Sequence, residues 1–262
     1  MQPKARPCGV AQAAFVMIAA LSIPGAAALA QDKGAVYEGK PVRLGKGEAR
    51  TIVRTGANGE AVSVGVVLTE EALEGLPSPA KGASPDFPYV LPMPQKGPRT
   101  VVDHVLLNWE SLGHPPAKVY DVPHFDFHFY LVGRALRQKV RFKSDAESGS
   151  PRQQPPAHLL APGYVVPPGT AVSGMGVHAI NPASPEFNGQ PFTATFIYGY
   201  HNKRQTFLEP MVSLSYLKSK PSFSAPVPRP ASFMKAGAYP ASYSVRYHEA
   251  SRSYEVSLDG LQ

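Results

Sequence analysis

The segment Pro123-His124-Phe125-Asp126-Phe127-His128-Phe129-Tyr130 alternates ionisable and aromatic side chains position by position. A period of two is that of a β-strand, in which successive side chains point to opposite faces. His124, Asp126 and His128 therefore share one face, and Phe125, Phe127 and Phe129 the other. The aromatic face demands a hydrophobic core. The polar face must then look into a cleft, a barrel interior or solvent.

The rest of the chain is punctuated by 29 prolines and 23 glycines, with few uninterrupted helical patterns. Such punctuation favours short strands joined by ordered loops. Strands are expected over 36–44, 49–55, 61–68, 101–109 and 123–130. Hairpins are expected over 192–200 with 205–217, and over 243–248 with 253–258. Thr69 to Gly75 reads as a helical turn capped by Thr69. Residues 77–98 and 221–230 read as proline-rich loops, and 144–156 as a mobile excursion. The basic residues Arg137, Lys139, Arg141 and Lys143 fall on one face if their segment is extended, as on a solvated strand edge. About ten strand candidates and almost no helix predict an all-β antiparallel sandwich or barrel with long Pro-rich loops. The expected organisation is a leader over residues 1–30 and one β domain over 31–262.

The leader has the form of a secretory signal. Lys4 and Arg6 precede an apolar run from Ala11 to Ile23, Pro24-Gly25 breaks it, and Ala28-Leu29-Ala30 fits a small-residue cleavage site. The run is too short for a membrane span, so no transmembrane anchor is expected, and the protein is read as periplasmic or secreted. The single cysteine, Cys8, lies before the apolar run, so the mature chain has no thiol. That excludes disulfides, thiolate metal sites and cysteine nucleophiles. The formal charge of +7 becomes +5 once Lys4 and Arg6 are removed. No nucleic-acid motif accompanies it.

Metal coordination without thiols needs imidazoles and carboxylates. Eight histidines are present, at 104, 114, 124, 128, 158, 178, 201 and 248. Strand geometry separates His124 from His128 by about 13 Å, too far to share one ion on a regular strand. A site here takes two neighbouring ligands from this strand and the rest from elsewhere. His178 follows Gly174-Met175-Gly176, small residues that permit close strand approach. Glu209 stands alone among Phe207, Leu208, Met211 and Val212, where a carboxylate needs a cation, a metal or a proton. The candidate ligands are His124, Asp126, His128, His178 and Glu209, with His114, Tyr130 and His201 as supporting or alternative groups. Zinc, manganese and iron all suit such donors. If a coordination position is open, the ion polarises a carbonyl or activates water.

The competing reading is a metal-free, oligomeric binding or structural protein of the envelope, in which the same residues form a buried hydrogen-bond network. Other chemistries lack a signature: there is no GxSxG elbow, Walker loop or strand-to-helix GxGxxG. No reaction and no small-molecule ligand is named by the sequence.

The runs Asn108-Trp109-Glu110-Ser111-Leu112-Gly113-His114-Pro115-Pro116, Pro123 to Tyr130, Met175-Gly176-Val177-His178 with Asn181-Pro182, and Glu209-Pro210-Met211 resemble a family of poorly characterised exported bacterial proteins. The resemblance spans roughly 101–217. It implies a mostly-β fold and a polar centre at His114, His124, Asp126, His128, His178 and Glu209, with no established activity. A looser likeness to cupins rests on His124/Asp126/His128 and on Pro168-Gly169 ahead of His178. The HxH is stretched to HxDxH, and the downstream glutamate is missing from its place.

Overall fold

The chain lays down one sheet, crosses to a second and returns to the first. The computed structural model describes residues 1–2 and 34–262, so the leader and Cys8 lie outside the described residues. β1 (Val36–Glu38) and β2 (Val42–Leu44) both pair with β3 (Gly47–Thr55), and β3 pairs with β4 (Ala61–Thr69). The second sheet holds β5 (Asp86–Pro92), β6 (His104–Glu110), β7 (His124–Tyr130), β8 (Ala171–Val172), β9 (Gly176–Ala179), β10 (Ala194–His201) and β11 (Arg204–Ser213). Its order is β5-β6-β7-β11-β10-β9-β8. β12 (Ser222–Pro226), β13 (Ser242–His248) and β14 (Ser253–Asp259) then rejoin the first sheet, giving β1-β3-β4-β14-β13-β12. Every pairing is antiparallel, so the described residues form an all-β arrangement.

One core joins the two sheets. Val64, Val66 and Leu68 of β4 and Val256 and Leu258 of β14 meet Val105 and Leu107 of β6, Phe125, Phe127 and Phe129 of β7, and Phe196 and Tyr198 of β10. Alternation along each strand produces this inner face. The tyrosines that enter it find acceptors for their hydroxyls: Tyr164 donates to the Phe196 carbonyl at 2.6 Å and Tyr200 to that of Leu159 at 2.7 Å.

The outer face of the second sheet is also covered. The connection after β6 brings Tyr120 over it, and the connection before β10 brings Phe192, where both pack with Ile197 and Met211. Leu106, Tyr130 and Phe207 form a second small apolar group on that face. All seven residues of β7 are consequently buried.

Several local expectations are revised. The 77–98 stretch is not all loop, because β5 runs through it; Pro88 is tolerated since β5 is an edge strand. β12 likewise occupies part of 221–230 at the opposite sheet's edge. Thr69 caps nothing: its hydroxyl accepts from the Glu48 amide at 3.2 Å, while Glu70–Leu73 forms the expected short turn of helix. The basic run is no strand. It begins in a single helical turn, α1 (Arg134–Arg137), so its alternation defines no face. The 144–156 excursion is tied down by Gln153, which donates to the Asn202 side chain at 2.9 Å and accepts from the Asn202 amide at 2.8 Å. The β10–β11 turn places Asn202 and Lys203 at φ of 49° and 67°, the two-residue turn that matches strand twist.

Truncating the centre of this core tests the architecture. Phe127→Ala is expected to cost about 3–5 kcal/mol, measured as a fall in the urea midpoint at unchanged slope. A loss below about 1 kcal/mol would contradict a two-sheet core centred on β7.

Candidate metal centre

The register across the second sheet gathers its ionisable groups on the covered outer face. Asp86 pairs with Glu110, Glu110 with His124, and Asn108 with Asp126. On the other side of β7, Phe207 pairs with Tyr130 and Met211 with Asp126, which sets Glu209 opposite His128. β10 aligns Ile197 with Glu209 and Gly199 with His178. Side chains from β5, β6, β7, β11 and β9 therefore converge outside the aromatic core.

They converge as two groups, not one. His114, His124 and Asp126 form the first, and His128, His178 and Glu209 the second; in each, the donor atoms lie within 4.8 Å of one another. The spacing of His124 and His128 along the strand imposes the split. β7 supplies a histidine to each group, so the two histidines share no partner carboxylate.

In the first group, His124 Nε2 is 3.2 Å from Asp126 Oδ1 and His114 Nε2 is 3.5 Å from Asp126 Oδ2. Both imidazoles are held from behind: His124 Nδ1 lies 2.6 Å from the Val122 carbonyl and His114 Nδ1 2.7 Å from that of Pro115. A ring nitrogen that donates to a carbonyl leaves Nε2 with its lone pair, aimed at the carboxylate. His114 comes from the loop between β6 and β7. That loop turns at Gly113 (φ +71°), where a Cβ would sit 2.2 Å from the Tyr120 carbonyl oxygen. Tyr120 and Phe192 wall the group, with ring centroids 6.4 and 5.4 Å from that of His124.

In the second group, Glu209 receives His128 Nε2 at 3.2 Å and His178 Nε2 at 3.9 Å. His178 is oriented by its Nδ1, 2.9 Å from the Thr170 carbonyl. The Phe207 ring packs beside both histidines, with centroids at 4.7 and 5.3 Å. Gly199 makes room for it: a Cβ there would lie 2.2 Å from that ring.

Burial leaves these groups short of partners. His124 Nε2, Asp126 Oδ1, both ring nitrogens of His128 and Glu209 Oε2 are buried with no hydrogen-bond partner. Burial pushes His128 down to about 3 and also lowers His178. Burial, then the charges of Asp126 and Glu110, raises Glu209 well above the carboxylate range. Burial acts the same way on Asp126, but His124 and His114 more than offset it and hold that carboxyl below its usual range. Burial would lower His114; its contact with Asp126 outweighs this and raises it to about 9.

Three neighbours that sequence reasoning passed over belong to this face. Burial, then Asp126 and Asp86, raises Glu110 to about 8. Burial also raises Asp86, whose Oδ1 accepts from Asn108 Nδ2 at 2.7 Å. The signal was present in the alternation His104, Leu106, Asn108, Glu110 along β6, which puts its polar residues on the face opposite Val105, Leu107 and Trp109. His114, expected as a supporting or alternative group, lies with His124 and Asp126 in the first triad. Tyr130 borders the second triad, stacked on His104 at 4.8 Å, with its hydroxyl donating to the Gly174 carbonyl. His201 lies in neither group; it sits at the β10–β11 turn against Phe142 and Asn202. A cupin-like centre would bring the histidines of β7 to one ion, and here they serve different carboxylates.

A family model described as TTHB210-like, hypothetical protein TTHB210, matches residues 56–109. The matched segment runs from the turn before β4 into β6 and ends ahead of all six triad residues, so the likeness is to part of the scaffold and to a poorly characterised family. No curated protein and no solved structure matches the chain. No helix among the described residues is long and apolar enough to cross a membrane.

The buried histidine fixes a pH response for the metal-stripped protein. Unfolded, His128 takes up its proton near 6.5; folded, it does so only near 3. Between those values the unfolded chain binds more protons at this residue, so the contribution of His128 to stability falls as pH drops from about 6.5 toward 3. The raised carboxyls of Glu209 and Glu110 act in the opposite sense, so the measure is differential: in chelator, the urea midpoint of the native sequence should fall relative to that of His128→Asn across that range. Identical profiles for the two proteins would contradict a neutral, buried His128.

Proposed function

We propose that this chain is an exported protein that binds divalent metal through His124, Asp126, His128, His178 and Glu209, joined by His114. The observation that carries the reading is the spacing of the imidazole nitrogens gathered around each carboxylate. A charge-assisted hydrogen bond between imidazolium and carboxylate closes to about 2.7–2.9 Å. The separations here are 3.2, 3.2, 3.5 and 3.9 Å. Ligands about 2.0–2.1 Å from a tetrahedral ion stand about 3.3 Å apart, close to three of these four distances. Backbone carbonyls behind three of the imidazoles supply the orientation that metal-bound histidine ordinarily has. Two imidazoles and one carboxylate suit zinc, manganese or iron.

The metal-free network has one feature in its favour: Asp126 stabilises the protonated form of His114. That pair is the state expected after the metal is stripped. It leaves His128 neutral beside Glu209, whose carboxyl burial pushes toward its protonated form.

Elemental analysis of tag-free protein purified without chelator is expected to find zinc, manganese or iron at one equivalent or more. Adding the same ion to stripped protein at about 100 times its dissociation constant should stabilise it by about 2.7 kcal/mol, a rise of about 5–10 °C in melting temperature. Less than about one-tenth equivalent, together with no thermal shift, would leave the metal-free network in its place. For export, the mature protein is expected to begin at Gln31, which intact mass measures directly.

A further inference from the structure

The metal-binding reading says that the outer face of the second sheet holds an ion. It does not say how many. We propose that it holds two divalent cations at once, one in each triad, and that the ion at His114, His124 and Asp126 exchanges with solvent while the ion at His128, His178 and Glu209 is retained. This inference rests on the metal-binding reading and goes beyond it in number and in exchange.

Geometry gives the number. Each triad is a complete two-imidazole, one-carboxylate set with its own donor atoms in mutual reach. A single ion serves one set only, because His124 and His128 are about 13 Å apart along β7. Each set also has its own unsatisfied buried atoms: His124 Nε2 and Asp126 Oδ1 in one, His128 Nε2 and Glu209 Oε2 in the other. An ion in either triad leaves the other's atoms unsatisfied.

Charge points the same way. Asp126 and Glu209 project onto one covered face, and the ion pairs they make among the described residues run only to histidines. Each triad thus has its own carboxylate with no Lys or Arg partner, and an ion in one triad leaves the carboxylate of the other without a cation.

Access separates the two. The second triad is carried by three strands, β7, β9 and β11, and its most exposed side chain, His178, is 15% accessible. Releasing its ion means parting a hydrogen-bonded sheet. In the first triad His114 sits on the β6–β7 loop and is 34% accessible, flanked by the exposed Leu112 and Val122. That imidazole can swing outward with the sheet intact. The open position is therefore the one where water or a small anion reaches a bound ion.

The test loads stripped full-length mature protein with zinc, and in parallel with cobalt(II), removes excess ion, and measures bound metal by elemental analysis. Release into a chromogenic chelator is then followed over time. The expected result is two equivalents, released in two equal phases whose rates differ by at least about tenfold. His114→Ala should retain one equivalent and lose the fast phase. Glu209→Gln should lose the slow phase. Should Glu209→Gln fail to fold, the unmodified protein's stoichiometry and release curve decide alone. One equivalent, a single release phase, or loss of both ions in His114→Ala would overturn the two-ion arrangement and leave metal binding standing. No bound metal at all would remove both readings together.

Discussion

Strand β7 is buried on both faces, and the rest of the arrangement follows from how its polar face meets that condition. Phe125, Phe127 and Phe129 hold the strand in the core, which commits His124, Asp126 and His128 to the opposite side. Removing a carboxylate or imidazolium from water costs several kcal/mol unless opposite charge and hydrogen bonds replace the lost solvation. Here the covering segments bury the polar face of β7, and burial drives His128 and His178 toward neutrality. Neutral imidazoles do not balance the carboxylates beside them. A cation or a proton must, and this requirement makes the outer face chemically unusual.

The supporting shell is built to hold lone pairs in place. Three of the four triad imidazoles have Nδ1 within hydrogen-bonding distance of backbone carbonyls, fixing both tautomer and ring direction. Aromatic rings fill the remaining space: Tyr120 and Phe192 around the first triad, Phe207 around the second. The two glycines of this shell have steric reasons to be glycine. Gly113 lets the His114 loop turn against the Tyr120 carbonyl, and Gly199 lets the Phe207 ring lie flat on β10. Low polarity around the donors strengthens every electrostatic interaction among them, attraction to a cation included.

Alternation was the part of the molecule most readable in the sequence. It identified β7, assigned its two faces and excluded one ion shared by His124 and His128, while the small residues before His178 and the lone carboxylate of Glu209 among apolar neighbours marked those two groups. It did not reveal that there are two carboxylate-centred groups. That depends on the register of β7 against β6 and β11, which the local pattern leaves open. The position of His114 beside Asp126 had no signal in the local pattern, since a loop residue carries no periodicity and its place is set by Gly113 and the covering aromatics. Proline misled at β5 and β12, because an edge strand tolerates the missing amide that would break a central one. The alternating basic run misled in the opposite way: charge spacing carried no core signal to enforce an extended backbone, and a helical turn formed instead.

The first sheet provides an internal comparison. His248 Nε2 lies 3.2 Å from Glu255 Oε2, the same separation as His128 from Glu209. Arg54 also pairs with Glu255, and Arg246 with Asp259 on the neighbouring strand. Those guanidiniums and His248 are each more than a third exposed, so water and fixed positive charge satisfy the carboxylates there. Histidine beside glutamate is thus not in itself a candidate metal centre. What distinguishes the second sheet is the exclusion of Lys and Arg from the ion pairs of its covered face, together with imidazoles braced from behind. Residue types common to both sheets make ordinary ion pairs where cationic side chains are supplied, and leave a carboxylate with only imidazole neighbours where they are withheld.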